Sequence, residues 1–184
     1  MKYVMPIEEK RMVGVIGDYL REKNERDFVL FMTGVYLGRR ISDILQYRVG
    51  DLRNKEHIYI PETKTGKSIL LPINPHLQKI YKDFFKGRKD YEFAFRNSRS
   101  KKNTPISRVR VWQILNEAAD AVGYKEGLSC HTLRKTFAYW LYIDTGGDIV
   151  MVQEILGHDD PGVTRRYIGI DQQKKEKAIN GLRF

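Results

Sequence analysis

The chain has 184 residues, a length that suits one domain with a buried core. Its 33 Lys and Arg residues exceed its 23 Asp and Glu residues, and the formal net charge of +10 favours nucleic acid over a membrane surface as partner. A hydrophobic content of 41% argues against a disordered tail, and no apolar run approaches the length of a membrane span.

Cysteine and histidine are too sparse to suggest a metal centre. The chain has one cysteine, Cys130, and four scattered histidines. A single thiol excludes an intrachain disulfide, fits a reducing cytoplasm and predicts a buried, inert side chain. We expect neither a metal nor a cofactor. The first ten residues contain no signal-peptide core.

The first part of the chain predicts helices followed by a hairpin. Pro6, with acidic residues after it, is typical of a helix start. An apolar block over residues 28–32 indicates a buried second helix. Turn-like residues 63–67 separate two short apolar runs, which predicts a β-hairpin over about 57–72. The expected elements are helices over about 6–23, 25–38 and 41–47 and strands over 57–60 and 68–71.

The rest of the chain predicts further helices and one basic loop. Ser107 and Asp148 are typical N-cap residues, and Gly157 is a typical helix end. Residues 96–104 are polar and basic and indicate a surface loop. The fold class expected is α+β, mostly helical, with one small antiparallel sheet. The expected helices cover about 75–86, 108–122, 131–145, 149–156 and 171–184, with a short turn or helix around Tyr167.

The last third of the chain carries residue types suited to attack on a phosphodiester. His131 and Arg134 lie three positions apart at a predicted helix start, and His158 and Tyr167 follow. A phenol can act as the nucleophile, and a planar guanidinium matches the charge and geometry of phosphate oxygens. Each residue alone also has an ordinary explanation, as a helix-capping histidine, a surface arginine or a half-buried tyrosine.

Five motifs together resemble the catalytic domain of the tyrosine recombinase, or phage integrase, family. The resemblance runs from about Pro6 to Tyr167, with the motifs in the family's order. In the first motif an arginine precedes an acidic residue by three positions, a register that selects Arg40 over Arg39. The matching segments are Arg40-Ile41-Ser42-Asp43, Lys64-Thr65-Gly66, His131-Thr132-Leu133-Arg134, Leu156-Gly157-His158 and Tyr167.

The resemblance implies a mechanism that needs no metal or nucleotide. Tyr167 attacks the scissile DNA phosphate and gives a 3′-phosphotyrosine and a free 5′-hydroxyl. The other implied roles are phosphate clamping by Arg40 and Arg134, proton donation by Lys64, proton management by His131, a phosphate hydrogen bond from His158 and support of Arg40 by Asp43, which stands where glutamate is commoner.

The resemblance also implies a domain organisation and an assembly. Residues 1–168 are expected to form the catalytic domain, and the family's N-terminal core-binding domain is expected to be absent. Residues 169–184 are expected to form a tail helix, anchored by Ile179, Leu182 and Phe184, that docks on a neighbouring copy or on its own domain. Strand exchange in this family uses four copies on double-stranded DNA, so we expect a tetramer on DNA and weak association without it.

The leading function is DNA integration or recombination by a cytoplasmic enzyme of a phage or mobile element. The alternatives are a non-catalytic DNA-binding or regulatory fragment and strand relaxation like that of type IB topoisomerases. Lys67 competes with Lys64 for the role in the hairpin. For each basic residue outside the motifs, an ordinary solvated surface is the alternative to DNA contact. The candidate DNA contacts are Arg39, Lys67, Arg96, Arg99, Lys101, Lys102, Arg108 and Arg110.

Overall fold

The computed structural model describes residues 4–61, 68–157 and 179–183. Within those ranges the chain forms eight helices and one two-stranded sheet, which confirms the predicted fold class. The elements are α1 (Lys10–Lys23), α2 (Glu25–Leu37), α3 (Ile41–Ile44), α4 (Val49–Leu52), β1 (His57–Pro61), β2 (Ser68–Pro72), α5 (Pro75–Phe84), α6 (Arg108–Ala121), α7 (Cys130–Asp144) and α8 (Ile149–Leu156).

Helix α2 is the central element of the core. Its residues 27–34 are all buried, and it packs against α1, α5 and α7. Thr33 lies on this helix with no exposed surface, where its hydroxyl donates to the Val29 carbonyl at 2.7 Å and lies 2.9 Å from the hydroxyl of the fully buried Tyr81. A buried hydroxyl pair of this kind ties α5 to α2, because each polar group satisfies the other away from water.

The hairpin forms where the sequence predicts it. Strands β1 and β2 pair antiparallel, with Ile58 opposite Leu71 and Tyr59 opposite Leu70. Ile58 and Leu71 are buried, whereas Tyr59 and Leu70 are exposed. The sheet therefore packs one face against the core, as the two-residue period of a strand requires.

The predicted start of the first helix is wrong by four residues, because the segment before α1 is held in an extended form by α7. The Ile7 amide donates to the Thr136 hydroxyl at 2.9 Å, and the Trp140 indole donates to the Ile7 carbonyl at 3.0 Å. The Lys135 ammonium donates to the Val4 carbonyl at 2.6 Å. These bonds replace the helical bonds that Pro6 and its acidic neighbours would otherwise begin.

The region after α2 also differs from the prediction. Helix α3 ends at Ile44 rather than near Tyr47, and α4 was not predicted. Asp51 caps α4, since its carboxylate accepts from the Arg48 amide at 2.7 Å. Such a short helix gives no periodic signal, so the sequence pattern could not show it.

The later helices begin at side-chain caps. Ser107 accepts from the Arg110 amide at the start of α6, and Asp148 accepts from the Met151 amide at the start of α8, as predicted. Helix α7 begins at Cys130, one residue before the predicted start. Its cap is Ser129, whose hydroxyl accepts from the amides of His131 and Thr132 at 3.2 Å.

Candidate active site

The Arg134 side chain connects its own motif to Leu156 of the Leu156-Gly157-His158 motif and to the segment just before Arg40. It projects from α7 and has no exposed surface, and one terminal nitrogen donates to the Gly38 carbonyl at 2.8 Å. Its other terminal nitrogen donates to the Leu156 carbonyl at 2.7 Å. Gly38 lies two positions before Arg40 of the arginine motif, and Leu156 begins the Leu156-Gly157-His158 motif, so the guanidinium fixes both segments against α7.

Two glycines allow this close approach of α2 to α7. A Cβ atom on Gly34 would lie 2.5 Å from Leu133 Cδ1, and one on Gly38 would lie 2.1 Å from Phe137 Cδ1. Gly38 also ends α2 in the left-handed region, with φ of 60°. Any side chain at Gly38 would therefore be strained and would clash with α7. The sequence shows both glycines but not the helix that they face.

The two neighbouring arginines of the first motif have different surroundings. Arg40 precedes α3 in an extended conformation, with φ of −64° and ψ of 143°, and is exposed. The Arg39 side chain is only 11% exposed, and its guanidinium lies 3.7 Å from the Asp43 carboxylate. Burial lowers the pKa of Arg39.

Asp43 was expected to support Arg40 and instead pairs with Arg39. Arg39 lies before the extended N-cap residue Arg40, and from there its side chain reaches the carboxylate of Asp43 in α3. The low exposure of Arg39 also disfavours the predicted DNA contact by that side chain, whereas the exposed Arg40 suits contact with DNA.

His131 lies exposed in the first turn of α7, close to several cations. Although the residue as a whole is exposed, partial burial of the ring lowers the pKa of His131 below its usual value. The positive charges of Arg108, Arg134, Lys135 and Arg40 lower this pKa further. Arg40, from the arginine motif, is thus among the cations whose charge acts on His131. A neutral imidazole at neutral pH can accept a proton, which is the role expected of this histidine.

The remaining predicted catalytic residues lie outside the described residues. They are Lys64, His158 and Tyr167, and Lys67 lies outside as well. The described segment that contains α8 ends at Gly157, directly before His158, and the Arg134 bond to Leu156 holds the end of this helix. The roles of these four residues stay predictions.

The candidate DNA contacts differ in how available their side chains are to DNA. Arg99, Lys101, Lys102 and Arg108 are exposed. Arg110 is less available, because its guanidinium lies 3.0 Å from the Glu117 carboxylate. The Arg96 backbone carbonyl accepts from Arg26 at 3.1 Å, and its partly buried side chain keeps an Nε without a hydrogen-bond partner among the described residues.

The remaining predicted features are the anchor residues of the tail and the buried Cys130. Ile179 and Leu182 are both exposed, and Phe184 lies outside the described residues. Cys130 is buried, as predicted, and burial raises the pKa of its thiol. A buried thiol of raised pKa is a poor nucleophile.

The described residues contain neither a cluster of metal-ligand side chains nor a helix that could span a membrane. In residues 4–61, 68–157 and 179–183, no three His, Cys, Asp or Glu side chains come together as metal ligands would. Over the same part of the chain, no helix has the length and apolar character needed to cross a bilayer.

Several solved structures share this fold. The crystal structure of XerA recombinase superposes with a TM-score of 0.74 at 18% identity, covering 98% of this chain and 67% of that one. A lambda integrase dimer bound to a COC′ core site gives 0.69 at 18% identity, covering 93% of this chain and 51% of that one. These likenesses show the fold, which is that of tyrosine recombinase catalytic domains.

Sequence relatives agree with that class. Residues 8–174 match the model of the Phage integrase family, and the chain belongs to that family. Probable integrase/recombinase YoeC of Bacillus subtilis (strain 168) is 41% identical over 178 residues, covering 97% of this chain and 96% of that relative. Tyrosine recombinase XerD of Mycobacterium leprae (strain TN) is 32% identical over 155 residues, covering 78% of this chain and 48% of that relative.

The comparisons confirm the predicted family and the predicted class of enzyme. Tyrosine recombinase XerA of Pyrococcus furiosus is 30% identical over 175 residues and is covered to 58% of its length. The chain thus spans almost all of the Bacillus relative and about half of the XerD and XerA relatives.

Proposed function

We propose that this protein cleaves and rejoins double-stranded DNA at specific sites through a covalent bond to Tyr167. The Tyr167 phenol oxygen attacks the scissile phosphorus, the bond to the 5′-oxygen breaks, and that oxygen takes a proton from Lys64. His131 accepts the phenol proton, while Arg40 and His158 donate to the non-bridging oxygens. The reaction is reversible, since the phosphotyrosine keeps the energy of the phosphodiester for rejoining.

The observation that carries this proposal is the convergence of motifs on Arg134. The Arg134 guanidinium binds the carbonyl of Gly38, just before the arginine motif, and the carbonyl of Leu156, which begins the Leu156-Gly157-His158 motif. The same helix carries His131, whose pKa is lowered in part by the charge of Arg40. Preorganised donors that require no rearrangement are usually the largest source of transition-state stabilisation. We propose that Arg134 shares in phosphate binding and holds the segment before Arg40 and the Leu156-Gly157-His158 motif in place.

The assembly and the setting belong to the same proposal. A formal charge of +10 and the exposed cations Arg99, Lys101 and Lys102 support binding to the DNA backbone. We propose a tetramer on DNA, with the exposed Ile179 and Leu182 of the tail as contacts between copies. We also propose a cytoplasmic location and a role in the movement of a phage or mobile element.

The decisive experiment traps the covalent intermediate. Purified protein is mixed with a pool of nicked suicide duplexes that carry randomised half-sites, and adducts are resolved on a denaturing gel. We expect a DNA–protein adduct that Tyr167→Phe abolishes and that the exposed control Tyr91→Phe retains. Sequencing of the trapped DNA would give the cleavage site.

Binding of the same pool is measured in parallel by gel shift. Tight binding without any adduct at saturating DNA would overturn the proposed cleavage and favour a non-catalytic DNA-binding role. An adduct formed equally by the Tyr167→Phe variant would show that another residue is the nucleophile.

A further inference from the structure

A shallow cavity of about 390 Å³ lies directly beside the candidate active site. It is formed where the first two turns of α6 meet the start of α7. His131 belongs to its wall, so whatever fills the cavity also borders the catalytic histidine. The lining residues are Arg108, Val109, Trp112, Ser129, Cys130 and His131.

The wall that α6 contributes is apolar and exposed. Trp112 is 52% exposed and Val109 is 65% exposed, whereas Val111 and Leu115 on the inner side of the same helix are buried. The helix therefore has an ordinary core face and, next to the active site, a second apolar face. An exposed indole beside a catalytic residue indicates a ligand with a flat or apolar part.

The rim of the cavity is cationic. Arg108 is exposed at the first position of α6, and its charge acts on the neighbouring His131 ring. The cavity therefore combines an aromatic wall with positive charge. A nucleotide has the matching parts, since its base has a flat π-face and its phosphate is anionic.

We propose that this cavity binds the base of a nucleotide next to the scissile phosphate, with the base packed on Trp112 and the flanking phosphate held by Arg108. The inference rests on the proposed function and adds a contact outside the five motifs. Strand cleavage frees one end of the DNA, so a base beside the break can leave the duplex stack and pack against an aromatic ring. Trp112 is then a determinant of how strongly, and at which neighbouring base, the enzyme holds the cleaved strand.

Two single-tryptophan variants make the cavity directly observable. The chain has two tryptophans, Trp112 and Trp140. Trp140→Phe leaves Trp112 as the only reporter, and Trp112→Phe leaves Trp140, whose indole is bound to the Ile7 carbonyl away from the cavity. Circular dichroism first establishes that both variants are folded. The substrate is the suicide duplex selected by adduct trapping, in its native form and with an abasic nucleotide on either side of the scissile phosphate.

We expect native substrate to quench Trp112 emission by roughly half and to leave Trp140 emission unchanged, as stacking on one indole requires. The abasic substitution at one of the two positions should abolish the quenching. Trp112→Ala should weaken binding of the cleaved substrate by about 5- to 150-fold, and binding of the matching abasic substrate by much less. Val150→Ala, which removes an exposed apolar side chain from α8, should leave both affinities unchanged.

Other outcomes separate this inference from the proposed function. A normal Tyr167 adduct with unchanged Trp112 emission overturns the base-binding site and leaves the cleavage function standing. Trp112 emission that changes with protein concentration in the absence of DNA, and not with the abasic substitution, would show a second copy of the chain in the cavity and overturn the inference. Loss of the adduct from every substrate would overturn the cleavage function itself.

Discussion

The two arginines predicted to clamp the phosphate, Arg40 and Arg134, lie in opposite environments. Arg134 is fully buried, and its guanidinium donates to the backbone carbonyls of Gly38 and Leu156, which lie far from it in the chain. Arg40 is exposed at the start of a short helix. The comparison indicates a division of roles: the buried arginine also holds distant segments of the site together, whereas the exposed one is free of that structural task.

The difference has a physical origin. A buried guanidinium is stable only where its charge and N–H groups are met by acceptors, and the Gly38 and Leu156 carbonyls supply them. An exposed guanidinium keeps its water and can exchange it for phosphate oxygens. Stability and catalysis should therefore separate when the two arginines are changed one at a time.

The largest expected effect belongs to Arg134→Ala. Leaving two buried carbonyls unpaired should lower the free energy of unfolding by about 2–5 kcal/mol. For a chain of this size that corresponds to a fall in melting temperature of roughly 5–20 °C, and cleavage should be lost as well. Thermal denaturation followed by circular dichroism measures the stability.

A matched control is Arg110→Ala, which removes a partly exposed arginine paired with Glu117. That change should cost less than about 1 kcal/mol, as surface ion pairs do. If Arg134→Ala melted within a degree or two of the native protein, Arg134 would not be the structural member of the pair.

The second prediction concerns Arg40→Ala. Since Arg40 is exposed, the free energy of unfolding should change by less than about 0.5 kcal/mol. Loss of one preorganised donor to the transition state should lower the rate of adduct formation by about 10²–10³-fold. Single-turnover cleavage of the suicide substrate measures the rate, and a gel shift measures DNA binding.

Arg11→Ala, an exposed change on α1, is the control and should leave the cleavage rate unaltered. Equal losses of binding and cleavage in Arg40→Ala would mean that Arg40 only holds the DNA. Substantial destabilisation would place Arg40 in the same structural role as Arg134.

The smallest effect concerns the pH dependence conferred by His131. Because the folded protein lowers the pKa of His131, the neutral ring predominates at neutral pH, and cleavage at subsaturating DNA should fall only as the pH becomes acidic. The unfolded chain takes up the proton first, so the contribution of His131 to stability is present above pH 6.5 and decreases as the pH falls below it. The loss of rate between pH 7.5 and 5.5 should be less than about tenfold.

Chemical shifts of the histidine rings in a pH titration measure the pKa directly. Arg108→Gln should raise the pKa of His131, since it removes a neighbouring positive charge. His57→Gln, an exposed change in β1, should leave the acidic limb of the rate profile in place. A His131 pKa at or above the usual value in the native protein would contradict the cationic environment described for this residue.

Local signals in the sequence predicted most of the fold. Ser107 and Asp148 begin their helices as expected, and the alternation of buried and exposed residues in the hairpin follows the two-residue strand period. Ser129 was missed as the cap of α7, although the Ser-x-x-Thr pattern with Thr132 carries that signal. Caps and periodicity act within a few residues, so they can be read without knowledge of the fold.

The sequence by itself determined the family, the order of the motifs and the side chains available for chemistry, because these depend on residue identity and local spacing. Only the tertiary structure decided that Arg134 is buried, that Asp43 pairs with Arg39, and that Ile7 is held by α7 instead of joining α1. Two of these outcomes rest on contacts between segments far apart in the chain, and the third depends on how α3 begins. The free energies of the Arg134 and Ile7 contacts arise only when α2, α7 and the surrounding segments pack together, and no local pattern of residues encodes them.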